Sequence, residues 1–221
     1  MGFKTETMLI RPAALDGGAD KLLADLGYDK RRKINNAPFA TAGGGSMWIG
    51  STGDCIVVYT YLASGFFDDP REHRDVVDFK DALARIFPEA DIAALFLHSV
   101  VGAWGFAVFR RGTLIRRQYG FDDMMVCDEG PRLPVEDTFL SKFHRIETDG
   151  EIRYTDPARP EYEETVSSIG ESLVFEICRS FTGFRLDDLQ AHGTNFWLND
   201  DEAKRAAITR TSARPWWKFW G

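Results

Sequence analysis

The stretch GAWGFAVFRRGTLIRRQY, residues 102–119, decides how this chain folds. Two runs rich in apolar and aromatic side chains flank Arg111-Gly112, a pair suited to a two-residue turn, so the stretch predicts a β-hairpin. Successive side chains on a strand point to opposite faces, which places Trp104, Phe106 and Val108 together. Their face is the larger and more aromatic one. We therefore expect it to lie against the core, and the other face to be more solvated.

The two-residue turn also fixes a predicted register for the hairpin. Val108 lies opposite Ile115, and Ala107 lies opposite Arg116. This register assigns Arg116 to the more solvated face.

Periodicity and turn residues predict the elements around the hairpin. Strands are expected over 3–10, 47–50, 55–61 and 92–100, and helices over 16–26, 70–87 and 160–181. The basic run at 30–33 is assigned to a loop, a last short helix is expected from Asn199, and residues 120–158 show little regular pattern. A loop of that length in a compact domain is usually functional or covers another part of the protein.

Together these elements predict an α+β fold. The expected architecture is a mostly antiparallel sheet of five or six strands, with the two main helices packed on one face and a short C-terminal helix and tail. Residues 1–202 are expected to form a single domain, followed by a basic, aromatic tail over 203–221.

Composition limits the class of protein. The chain has 221 residues, of which 44% are hydrophobic, enough for a substantial core. Its net charge of -7 argues against nucleic-acid binding, which needs basic surface. The three sparse cysteines fit a reducing cytoplasm, and no apolar run has the length of a signal peptide or a membrane span. We therefore expect a soluble cytoplasmic protein.

The tail combines aromatic and basic residues. Three of the chain's six tryptophans, Trp216, Trp217 and Trp220, stand beside Phe219, and residues 203–221 contain five basic and no acidic side chains. Burying a large aromatic side chain is worth roughly 2–3 kcal/mol, so the tail is expected to find a cover. That cover is its own domain, a second subunit, a partner protein or a membrane surface, and docking on itself or a subunit is favoured over the other two.

Four segments resemble a family of uncharacterised bacterial proteins over roughly residues 90 to 185. They are His98-Ser99-Val100-Val101, Gly105-Phe106-Ala107-Val108, Gly112-Thr113-Leu114-Ile115-Arg116 and Gly130-Pro131-Arg132-Leu133-Pro134-Val135-Glu136. The resemblance implies a bacterial, cytoplasmic, stand-alone domain. It carries no activity and therefore assigns no role to any residue.

The motifs of several enzyme classes are missing from the sequence. No Gly-x-Ser-x-Gly elbow occurs, and the glycine-rich segment 45–52 lacks the lysine of a phosphate-binding loop. The four histidines are scattered, with no two at helix spacing. We therefore predict no catalytic residue, no metal and no cofactor.

Three hypotheses about function follow. The first is a non-enzymatic protein-interaction module, in which Trp216, Trp217, Phe219 and Trp220 bind a partner or a second copy. The second is an enzyme or small-ligand binder with its site under the 120–158 loop, where Arg116, Asp122, Asp123 and His144 are the candidate ligand-binding residues. The third is peripheral membrane association through the tail.

Overall fold

A computed structural model describes residues 4–29, 31–38, 46–67, 74–148 and 151–198 of the chain. The strands are β1 (Lys4–Arg11), β2 (Arg31–Pro38), β3 (Ser46–Thr52), β4 (Cys55–Tyr59), β5 (Asp91–His98), β6 (Ala103–Arg110), β7 (Thr113–Phe121), β8 (Met124–Glu129), β9 (His144–Thr148), β10 (Glu151–Asp156), β11 (Arg159–Thr165) and β12 (His192–Leu198). The helices are α1 (Gly18–Asp25), α2 (Arg74–Ile86), α3 (Pro134–Leu140) and α4 (Val166–Thr182), with 3₁₀ turns at Tyr61–Phe67, Ser99–Val101 and Leu186–Asp188.

Nine of these strands form one sheet in the order β2-β12-β3-β4-β1-β5-β6-β7-β8, and every pairing in it is antiparallel. The other three form a small antiparallel sheet in the order β11-β10-β9. Strand β12 lies between β2 and β3. The last described strand therefore pairs with two strands from the first third of the chain.

Both faces of the large sheet are buried at its central strands. Met8 and Ile10 of β1 pack on one side, with α1, α2 and the 3₁₀ turn Tyr61–Phe67. Leu9, between them, packs on the other side, with α3 and α4. The central strand β5 is apolar on both sides for the same reason. The molecule therefore has three layers, with the sheet in the middle.

The predicted fold class is wrong in strand number and in the placement of the helices. The described residues form a nine-stranded and a three-stranded sheet, not five or six strands. The two longest helices, α2 and α4, lie on opposite faces. They separate because the central strands are apolar on both sides and each side needs a cover.

Most of the missed strands come from segments without an apolar pattern. The interval 120–158, expected to be a loop, forms β8, α3, β9 and β10. All five residues of β9 are exposed, and the basic run expected in a loop opens β2. Such strands are held by ladder hydrogen bonds and by their neighbours, so hydrophobic periodicity does not reveal them.

Helix α4 begins later than its sequence pattern predicts. Thr165 stands at the N-cap, where its hydroxyl accepts a hydrogen bond from the backbone N–H of Ser168 at 3.2 Å. The preceding segment, Arg159–Thr165, is strand β11. The predicted C-cap is confirmed, because Gly183 has φ of 82° in the left-handed region.

The hairpin contains the predicted turn but a different register. Arg111 and Gly112 have positive φ values of 48° and 75°, as a two-residue hairpin turn requires. Phe109 pairs with Leu114, but Val108 pairs with Arg116, so Ile115 is an extra residue in a β-bulge. The bulge moves Arg116 to the face of Val108, against α3 and α4. The opposite face, expected to be solvated, is covered by the other helical layer.

Gly170 of α4 tests the packing of this helix on the sheet. A Cβ atom at Gly170 would collide with the indole ring of Trp104, which is 1% exposed. We expect Gly170→Ala to destabilise the protein by about 1–3 kcal/mol through overpacking, although the same exchange at an exposed helical site is stabilising. Denaturant unfolding measures the change, with Ser172→Ala on the same helix as the control. A Gly170→Ala protein at least as stable as the wild type would contradict this packing.

Candidate functional site

Arg116 lies at the centre of a buried ion-pair cluster. Its side chain is 1% exposed, and its Nε and Nη2 donate to the Glu136 carboxylate at 2.7–3.1 Å. Its Nη1 donates to Asp128 Oδ1 at 2.5 Å and to the carbonyl oxygens of Glu129 and Gly130. Each guanidinium nitrogen thus has an acceptor. Burial acts against the charge, but these carboxylates and hydrogen bonds raise the pKa of Arg116, so it is a cation.

Glu136 connects this cluster to helix α3. The Glu136 side chain is fully buried, and its Oε2 accepts from the backbone N–H of Leu133 at 2.8 Å, as the third helical residue of a capping box does. Pro134 stands at the first helical position, where its missing N–H costs nothing. The Leu-Pro-Val-Glu motif is therefore a helix start whose glutamate also holds the helix to β7.

Asp122 and Asp123 form the turn between β7 and β8, with φ values of 47° and 62°. Asp123 Oδ1 accepts from the backbone N–H of Ser167, and the Ser167 hydroxyl accepts from the Asp123 backbone N–H at 2.9 Å. Arg153 lies 3.7 Å from Asp123 Oδ2. Burial would raise the pKa of Asp123, but hydrogen bonds from Thr165 and Ser167, together with Arg153, lower it below its ordinary value. Asp123 thus ties the first turn of α4 to the sheet.

His144 begins β9 and is exposed, opposite Thr155 of β10. Across the described ranges, no hydrogen bond or ion pair joins Arg116, the Asp122-Asp123 turn and His144 to one another. The four candidate residues therefore occupy three separate environments: a buried cluster, a helix cap and an exposed strand. Their role in ligand binding stays a prediction.

A groove that sequence reasoning missed opens at one end of the large sheet. Its volume is about 580 Å³, and it lies between α3, the last turn of α4 and the ends of β1, β5 and β6. Val108, Leu133, Val135 and Phe181 form its apolar part, and Arg11, Glu89, Asp91 and Arg110 its charged part. Five separate elements contribute residues to the groove, so no local sequence motif predicts it. The α3 wall is the one that the Arg116–Glu136 pair holds in place.

Each of the two arginines in the groove is held by an ion pair and, within the part of the chain that the structure describes, still has one guanidinium nitrogen without an acceptor. Arg11 forms an ion pair with Asp54 at 3.0 Å and donates through Nη1 to the Ser180 carbonyl at 3.1 Å. Arg110 binds both oxygens of Asp91 at 3.1–3.3 Å. Among the described residues, Arg11 Nη2 and Arg110 Nη1 have no acceptor. Both side chains line the groove and are 44% and 60% exposed.

The described lining of the groove holds one hydroxyl and two carboxylates. It contains no histidine or cysteine, and its serine hydroxyl donates to the carbonyl of Ile177 at 2.7 Å. The Asp91 and Glu89 carboxylates are paired with Arg110 and Arg111. Elsewhere, burial raises the pKa of the Cys55 and Cys178 thiols to about 12, so neither is a thiolate at neutral pH. In the described lining, the serine and both carboxylates are each engaged by another group of the protein.

Two further expectations from the sequence concern a metal site and the aromatic tail. Within the described ranges, His, Cys, Asp and Glu side chains do not gather in threes around a possible metal position. The predicted partner-binding residues Trp216, Trp217, Phe219 and Trp220, like the helix expected from Asn199, lie outside the described residues. The described helices include none with the length and apolar character that crossing a bilayer requires.

Comparison with known proteins places the chain in a family whose function is not known. The sequence model of the protein family described as "Family of unknown function (DUF6928)" matches residues 10–178, and the chain belongs to this family. The resemblance to an uncharacterised family is thereby confirmed, and the match reaches much nearer the N-terminus than residue 90. No curated protein and no solved structure matches the chain.

Removing the charge of Glu136 tests the buried cluster. Glu136→Gln leaves the Arg116 guanidinium buried without its main counter-charge, and we expect a loss of about 3–5 kcal/mol in the free energy of unfolding. Glu129→Gln is the matched control: Glu129 binds Arg117 at 2.8 Å but is 54% exposed, so its loss is expected to be below about 1 kcal/mol. Equal effects of the two substitutions in denaturant unfolding would contradict the anchoring role of Glu136.

Acid titration tests the cap formed by Asp123. Its lowered pKa means that the carboxylate stabilises the fold above its ordinary pKa and that this stabilisation disappears as the pH falls through the lowered value. We expect Asp123→Asn to lower stability at neutral pH, and the gap to the wild type to close towards about pH 2, below the ordinary range of aspartate. Asp122→Asn, in the same turn, is the control. A gap independent of pH would show that the charge of Asp123 does not act.

Proposed function

We propose that this protein is a non-enzymatic interaction module whose groove binds a segment of protein chain through a large apolar or aromatic side chain. The observation that carries the proposal is the groove itself, about 580 Å³ in volume, with apolar and charged walls. Membership of a family of unknown function is compatible with this role and assigns no other.

The size and lining of the groove suit an aromatic anchor. Ligand pockets usually measure about 300–1,000 Å³, so this groove has room for one large side chain and the backbone that carries it. The half-buried Leu133 and Val135 supply an apolar surface, which gains free energy when water leaves it, and the buried Val108 and Phe181 lie behind it. Anchors at protein interfaces are commonly tryptophan, tyrosine or arginine in such pockets.

The charged side of the groove suits a peptide backbone. The free nitrogens of Arg11 and Arg110 can donate to carbonyl oxygens, and a guanidinium group also stacks on an aromatic ring. The carboxylates of Asp91 and Glu89 keep about a third and three quarters of their side chains exposed, so they can attract a basic residue next to the anchor. The groove thus favours an aromatic side chain flanked by basic residues.

The non-enzymatic part of the proposal rests on the chemistry of the lining. A hydrolase or transferase needs a base or nucleophile within hydrogen-bond reach of the bound molecule. The groove offers arginines, paired carboxylates and a serine that is already bonded to its own helix. Free thiols at Cys55, Cys127 and Cys178 are compatible with action in a reducing cytoplasm, which we infer as the location.

Selection from a random peptide library on the full-length chain tests the groove. We expect the recovered peptides to share an aromatic residue next to basic ones, and their affinity to fall at least tenfold on Val135→Asp, which places a charge on the apolar wall. Thr138→Asp adds the same charge at an exposed position of α3 and is the matched control. Peptides that bind equally to both variants, or a selection that recovers no peptide, would overturn the proposal.

A further inference from the structure

We infer that, in the isolated chain, the groove is filled by the chain's own tail, with Trp216 and Trp217 as the anchors. This inference rests on the proposed function, since it names the segment that the groove holds. It makes the tail an internal competitor for any partner.

The geometry allows the tail to reach the groove. The last described strand, β12, ends at Leu198, at the opposite end of the sheet from Arg11 and Arg110. From the strand spacing and the rise per residue, the distance from Leu198 to the groove is roughly 30 Å. The 17 residues from 199 to 215 span at most about 56 Å. The groove therefore lies within their reach.

The side chains of the tail also match the lining of the groove in character. Trp216 and Trp217 offer the aromatic anchors that the apolar wall around Val135 and Phe181 would cover. Lys218 and Arg214 flank these anchors, as the partly exposed Asp91 and Glu89 carboxylates favour. Residues 203–221 hold none of the chain's 34 acidic residues, so no like charge from the tail meets these carboxylates, and the groove's own Arg11 and Arg110 are each paired with a carboxylate.

A tethered segment has an advantage over a free one. A flexible tether of suitable length gives an effective concentration in the millimolar range, so even a weak contact is largely formed. Binding of the tail to a second copy has no such advantage at micromolar protein. We therefore assign the tail to the groove of its own chain, and a partner segment must displace it.

Photo-crosslinking on the full-length chain tests where the tail lies. With p-benzoylphenylalanine in place of Trp217, we expect crosslinks within the monomer, mapped by mass spectrometry to residues 11–12, 89–91, 108–110, 133–135 or 180–181. Val135→Asp is expected to reduce their yield at least fivefold, and Thr138→Asp to leave it unchanged. Crosslinks that map elsewhere on the chain, or that join two chains, would overturn the inference.

Competition provides a second measurement. A groove-binding peptide from the library is expected to bind about tenfold more tightly when Trp216→Ala and Trp217→Ala remove the anchors, because the internal competitor is lost. Equal affinity for both proteins would overturn the inference and leave the proposed function intact, provided that binding still depends on Val135. Binding that does not depend on Val135 would instead overturn the proposed function.

Discussion

The apolar character of the central strands on both faces is the constraint from which the architecture follows. Leu9 points into one helical layer and Met8 and Ile10 into the other, and β5 repeats the pattern. A sheet of this kind cannot leave either face in water without a large loss of hydrophobic stabilisation. The helices are therefore divided between the faces, and the groove lies at the margin of one face, beside α3 and the end of α4.

The buried Arg116–Glu136 pair connects this architecture to the groove. A β-bulge at Ile115 turns Arg116 towards the helices, where its guanidinium group donates to the carboxylate of Glu136 in the first turn of α3. A buried ion pair is not strong evidence of net stability, since its desolvation offsets much of the attraction. Its value here is positional: a short helix of seven residues, which forms one wall of the groove, is held in a single place.

The two outer strands of the large sheet carry features that discourage further pairing. Ile34 in β2 and Val126 in β8 fall at register shifts, as the extra residues of bulges. Exposed Arg32 and Lys33 lie on β2, and Asp128 and Glu129 on β8. Charges and bulges at an edge oppose the addition of another strand.

The sequence alone determined the elements whose signals are local. The turn at Arg111-Gly112, the amphipathic α2 and the C-cap at Gly183 follow from backbone preference and helical periodicity, which act within a few residues. Only the tertiary structure decided the strand number, the sides taken by α2 and α4, the burial of Arg116 and the existence of the groove. Each of these depends on contacts between residues far apart in the chain, and a one-residue bulge is enough to move a side chain to the other face.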